Sequence, residues 1–133
     1  MRVDDIRRAI EEMPSEQFER FAVELARRDQ FPGLIPTSPS HDLGEDARTS
    51  HIAHYLYGTR YISLAASKTA SLDKIRKDCQ RCLETGRTVN VFVFVTSGAP
   101  RRETQESWRQ TIEAEYPWKF DILTIDWLAP TAE

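Results

Sequence analysis

Apolar side chains recur at helical spacing in the opening part of the chain. Ile6, Ile10 and Met13 stand at i, i+4 and i+7, which predicts a helix that Asp4 or Asp5 would cap. After Pro14-Ser15, the residues Phe18, Phe21, Ala22 and Leu25 share one face of a second helix, expected to end near Arg27, Arg28 and Asp29 before Pro32-Gly33. From 34 to 50 the periodicity gives way to prolines, serines, Gly44 and isolated charges. That is loop composition, with room for a short strand at Leu34-Ile35. Aromatic and β-branched residues then take over, and the runs 52–57 and 60–66 on either side of Gly58-Thr59 predict a β-hairpin. Leu72, Ile75, Cys79, Cys82 and Leu83 fall on one face of a third helix, stopped by Gly86. The run 89–95 is apolar on both sides, Val91, Val93 and Val95 against Phe92 and Phe94, and predicts a central strand covered on both faces. A helix over 103–116 and a closing strand over 120–125 complete the pattern.

The expected order is ααβββαβαβ. A hairpin followed by strands that alternate with helices predicts an α/β fold in which a mixed β-sheet is flanked by helices on both faces. The length of 133 residues suits one domain spanning 1–133. No internal repeat is visible, and the start of a further helix just before Pro130 points to a piece cut from a longer protein.

Charge narrows the partners only a little. The 18 basic and 21 acidic side chains give a net charge of -3, which does not advertise nucleic-acid binding but leaves room for a local basic patch. The start MRVDDIRRAIEEM lacks the apolar core of a signal peptide, and no stretch is long and apolar enough for a membrane span. Two cysteines cannot build a secreted disulfide framework, so a cytoplasmic location without membrane contact is expected. Cys79 and Cys82 match a C-x-x-C spacing, but no second pair exists for zinc and the motif lies inside a helix. They read as small core side chains. His41, His51 and His54 make a weak metal set, because His51 and His54 alternate to opposite sides of a strand.

Four short pieces carry more. Phe18-Glu19 lies early, within the second helix; DLGED runs from Asp42 to Asp46; Lys68 follows the second hairpin strand; and LDKIRKDC precedes the apolar strand VFVFVT. Together they resemble the restriction-endonuclease-like fold of the PD-(D/E)xK superfamily, and within it the Mrr-like domains. The likeness covers nearly the whole chain, from Ile6 to about Leu128. It implies a nuclease-like domain acting on nucleic acid, DNA above all, by metal-dependent phosphodiester hydrolysis in a bacterial defence protein. In that family such domains are joined to NTPase or repeat domains.

On that resemblance Asp46 coordinates Mg²⁺, for which Mn²⁺ would substitute. Glu19 supports the metal, and Lys68 activates water or steadies the phosphate. The chemistry needs such groups, because carboxylates hold a hard cation that lowers the pKa of water, and a lysine offsets charge building on the phosphoryl oxygens. An acid two residues before the lysine would share its side of the strand, but this chain has Ala66 there. The departure puts catalysis in doubt and opens an alternative, an inactive fold that binds nucleic acid or self-associates as a homodimer. Asp42 and Glu45 are further acids that could help Asp46, and Asp73-Lys74 could serve as a migrated pair. Each candidate also has a plainer reading: Lys68 as a solvated strand-end charge, Asp46 as a turn aspartate, Glu19 as an exposed helix residue.

Lys74, Lys77 and Arg81 recur at i, i+3 and i+7 as a basic stripe, with Arg76 nearby. Arg101 and Arg102 follow the central strand and would extend the same nucleic-acid surface. The plain alternative is a solvated face. Trp108, Trp118 and Trp127 lack the spacing of a stacking platform and read as core or interface residues.

Overall fold

The computed structural model describes residues 2–31, 61–86 and 88–133, together with the strand backbone at 35–37, 51–57 and 60. Helix α1 (Val3–Glu11) and helix α2 (Ser15–Asp29) precede strands β1 (Ile35–Thr37), β2 (His51–Tyr57) and β3 (Arg60–Ser67). Helix α3 (Leu72–Glu84), strand β4 (Val91–Thr96), helix α4 (Arg102–Glu115), strand β5 (Lys119–Leu123) and helix α5 (Ile125–Thr131) follow. The five strands lie side by side in chain order. β1, β2 and β3 pair antiparallel, and the hairpin register sets Tyr57 opposite Arg60. β3, β4 and β5 pair parallel, with Ala66 beside Val95 and Phe94 beside Ile122. The sheet is therefore mixed, as the hairpin and the later alternation of strands and helices predict.

Several local expectations need correction. The element order exceeds ααβββαβαβ by one helix, because Ile125 does not continue the last strand. The Thr124 side chain accepts a hydrogen bond from the Asp126 N–H at 3.3 Å, which starts α5 and buries Ile125 within it. Asp4 and Asp5 do not cap α1. Arg2 holds the cap position, and the two acids sit in the first turn, where their charge complements the helix dipole. Leu83 is 45 % exposed, because Ile75, Asp78, Cys79 and Cys82 already occupy the inward face of α3.

Alternation along the parallel strands divides the core in two. Ile62, Leu64, Ala66, Val93 and Val95 meet Ile10 of α1, Phe18, Ala22, Val23, Leu25 and Ala26 of α2, and Leu128 and Ala129 of α5. On the opposite side Ala65, Phe92, Phe94 and Phe120 meet Ile75, Cys79 and Cys82 of α3 and Ile112 of α4. Helices thus cover both faces, as a central strand apolar on both sides requires. Trp118 is buried in the second layer, Trp108 packs against its margin, and Trp127 packs against the margin of the first. No described helix is long and apolar enough to cross a membrane.

Candidate functional site

The site grows from the end of β3. Ile62, Leu64 and Ala66 face the α1, α2 and α5 layer, and Lys68 keeps that parity one step beyond the strand. Its backbone is held at the turn. The Thr96 hydroxyl donates to the Lys68 carbonyl at 3.5 Å and accepts from the Gly98 N–H at 3.1 Å, while the Ser67 hydroxyl accepts from the Thr69 N–H at 3.1 Å. Close packing reinforces this link. A Cβ placed on Gly98 would come within 2.9 Å of the Ala70 methyl.

Lys68 lines a pocket of about 360 Å³ with Ser67, Thr69, Lys74 of α3, and Ser15, Glu16 and Glu19 of α2. Glu19 and Lys68, far apart in the chain, are thus brought together. Glu19 is not the exposed helix residue of its plainer reading, since only 4 % of it is exposed. Its Oε1 meets no hydrogen-bond partner among the described residues. Burial, opposed by the nearby Lys74 charge, raises its pKa from 4.5 to about 7, with Asp78 and Glu16 adding smaller upward pushes. A carboxyl poised there can take or give a proton at neutral pH.

Lys74 departs from the expected solvated stripe. Its ammonium reaches Asp78 Oδ1 at 3.1 Å, and its side chain is only 16 % exposed. Arg76 is engaged with Glu115 of α4 at 2.6 Å. Lys77 remains exposed and Arg81 is half-buried, so the i, i+3, i+7 series does not form one solvated surface. Arg101 and Arg102 are both exposed at the start of α4. Two cations there oppose the helix dipole, an arrangement suited to an approaching anion.

Asp78, wholly buried on α3, is a residue that the sequence pattern of candidates left out. Yet its position, three after Ile75 and one before Cys79, falls inside the apolar face of α3, and that spacing was the available signal. Asp46, with Asp42, Glu45 and His41, lies outside the described residues, and for His51 and His54 only the strand positions are described. Cys79 and Cys82 are both buried and unbridged. Burial pushes the Cys79 thiol well above its usual range, which suits a core side chain and not a nucleophile.

Among the described residues no three His, Cys, Asp or Glu side chains gather to hold a metal ion. Ala66 is wholly buried in the aliphatic layer and offers no oxygen. The pocket's carboxylates, Glu19 and Glu16, share it with two ammonium groups, a donor set poorly matched to Mg²⁺. The described side chains therefore do not by themselves fit the ion that the family resemblance implies. No protein-family model matches the chain, and no curated protein matches it.

Proposed function

We propose that this is a restriction-endonuclease-like domain that acts on nucleic acid, DNA foremost, through the pocket of Glu19 and Lys68. The observation that carries the reading is the convergence of those two residues, from α2 and from the end of β3, in one pocket. The mixed sheet, with its hairpin followed by a parallel strand across α3, supports the same likeness. Lys68 would neutralise a phosphate oxygen, and Glu19, titrating near neutrality, would exchange a proton with water. A setting in cytoplasmic bacterial defence, with attached NTPase or repeat domains, belongs to the same reading.

The buried Ala66 favours a second reading, in which the fold binds nucleic acid or self-associates as a homodimer without hydrolysing anything. Plasmid nicking with Mg²⁺ and then Mn²⁺ separates the two. If the domain hydrolyses DNA, the chain nicks plasmid, and Lys68→Ala and Asp46→Ala abolish nicking while both variants stay folded. No nicking, joined to a salt-sensitive shift of duplex DNA, leaves the binding module. Neither nicking nor a shift, with dimerisation that depends on concentration, rejects the nucleic-acid reading.

A further inference from the structure

An open sheet has two edges, and each presents a row of backbone groups that a further strand could take up. At one edge β1 has only three residues and includes Pro36, which carries no N–H. At the other, β5 has five residues and stands last in the order of the described strands. It is the longer of the two. The Lys119 N–H donates to the Asn90 carbonyl at 2.9 Å, on the β4 side. Alternation along the strand therefore turns the N–H and carbonyl groups of Phe120 and Ile122 outward, away from β4.

Both outward N–H groups are already taken, and by carboxylates. The Phe120 N–H donates to Oε2 of Glu113, which reaches across from α4, at 2.9 Å. The Ile122 N–H donates to Oδ1 of the adjacent Asp121, also at 2.9 Å. Glu113 is only 22 % exposed, so its side chain lies along the edge and not out in solvent. Arg109, one turn earlier on α4, stands 3.8 Å from the same carboxylate and has Asp121 within its electrostatic reach. Neither Glu113 nor Asp121 lines the pocket of Glu19 and Lys68.

We infer that Glu113 and Asp121 seal the outer edge of β5 against strand addition, and that the partner they exclude is the β5 edge of a second copy of this chain. A two-fold axis at Asp121 would set two β5 strands antiparallel, with Phe120 of one copy opposite Ile122 of the other. In that register the outward N–H and carbonyl of each residue meet those of its opposite number, so both strands are satisfied along their whole edge. The same register brings the two Asp121 side chains directly opposite each other, where like charges repel. Asp121 thus opposes pairing twice, by occupying the Ile122 amide and by facing its own copy. Glu113 opposes it once, by occupying the Phe120 amide. The inference stands apart from the nucleic-acid reading, and it requires any homodimer of the parent chain to use another surface.

Sedimentation velocity of the whole chain over a range of concentrations reads the association, and hydrogen exchange at the Phe120 and Ile122 amides locates it. Glu113→Ala combined with Asp121→Ala frees both donors and removes the facing charges. Association should strengthen by about tenfold or more over the parent, the equivalent of one competing hydrogen bond. In Glu113→Ala alone, the Phe120 amide should exchange faster than in the parent at low concentration and slow again as concentration rises. Glu113→Gln combined with Asp121→Asn removes the same charges but keeps an acceptor for each amide. That pair should associate clearly less tightly than the alanine pair.

Unchanged association in an alanine pair that still unfolds cooperatively overturns the inference. Equal association of the two pairs assigns the effect to charge alone and overturns the seal. Association that leaves the Phe120 and Ile122 amides as quick to exchange as before puts the contact elsewhere, and overturns it as well. Should the alanine pair not fold, Asp121→Ala alone, at an exposed position, carries the same test through the Ile122 amide.

Discussion

Along β3, β4 and β5 the two faces of the sheet are both buried, yet they are built from different materials. The face under α3 and α4 is aromatic. Phe92 stacks on Trp118 with ring centroids 5.7 Å apart and on Phe120 at 6.4 Å, and Tyr116 covers Trp118 at 5.3 Å. The face under α1, α2 and α5 is mostly aliphatic, with Phe18 its one fully buried ring, and it uses small residues, Ala22, Ala26 and Ala66 all fully buried. Large rings fill the layer under α3 and α4. Small side chains let α2 pack on β3, and that contact carries Glu19 to the mouth beside Lys68. The stacked rings lie on one side of the sheet, whereas the pocket of Glu19 and Lys68 opens on the other.

The sharpest way to break this contrast is to empty the aromatic layer. Phe92→Ala should destabilise the fold by about 3–5 kcal/mol, read by chemical denaturation, because a fully buried ring is lost and its stacking partners cannot refill the space. A small cost would mean that this layer is looser than its stacking implies.

On the aliphatic side the expected effect is tied to pH. The folded pKa of Glu19, about 7, lies above its ordinary value of 4.5, so the folded chain holds this proton more tightly than the unfolded one. The contribution is fully present below pH 4.5 and is lost as pH rises through about 7. The loss should be on the order of 3 kcal/mol or less, partial solvation of the carboxyl reducing it. Denaturation midpoints measured from pH 4 to pH 8 should show a fall in the parent chain that is absent in Glu19→Gln. Parallel profiles for the two chains would remove Glu19 as the cause.

What could be read from the sequence divides along the same line. Strong periodicity exposed the helices, the hairpin and the two-sided strand, since burial imposes a repeat of 3.6 or 2 on the text. The two faces of β4 were visible in the alternation of valine and phenylalanine. A helix start before Pro130 was visible, but where α5 begins was not, because Thr124-Ile125 prolongs the alternation of β5 and only the Thr124 cap marks the change. Glu19 was picked out by its resemblance to a motif, but not its burial: carboxylates are rarely interior, and nothing local announces that a lysine from another helix will stand nearby. Asp78 was overlooked for the same reason, although helical spacing put it on the inward face.

A smaller effect tests the link between the site and the closed layer. Gly98→Ala should cost about 1–2 kcal/mol, because the added methyl meets Ala70 at 2.9 Å in the segment that follows Lys68. The NMR signals of Lys68 and Thr69 should move with it. If stability falls and those signals stay fixed, the turn after β4 does not hold Lys68. Smallest of all, Arg76→Ala should leave the denaturation midpoint nearly unchanged in physiological salt, because the Arg76–Glu115 pair is solvent-exposed and screened. A clear loss would show that α3 and α4 lean on each other through charge as well as through rings.

The first and last helices lie against each other. α1 packs on α5, Arg7 reaches Asp126 at 3.0 Å, and an Arg28 guanidinium N–H donates to the Thr131 carbonyl at 3.3 Å. As the polypeptide leaves the ribosome, the apolar stripe of α1 therefore waits for a partner made more than a hundred residues later. Until then only α2 and the sheet can shelter it, and the hairpin, whose contacts are local, has every kinetic advantage in forming first. Amide protons of α1 and α5 should consequently exchange with solvent as one unit, opening together while the strands of the sheet stay closed.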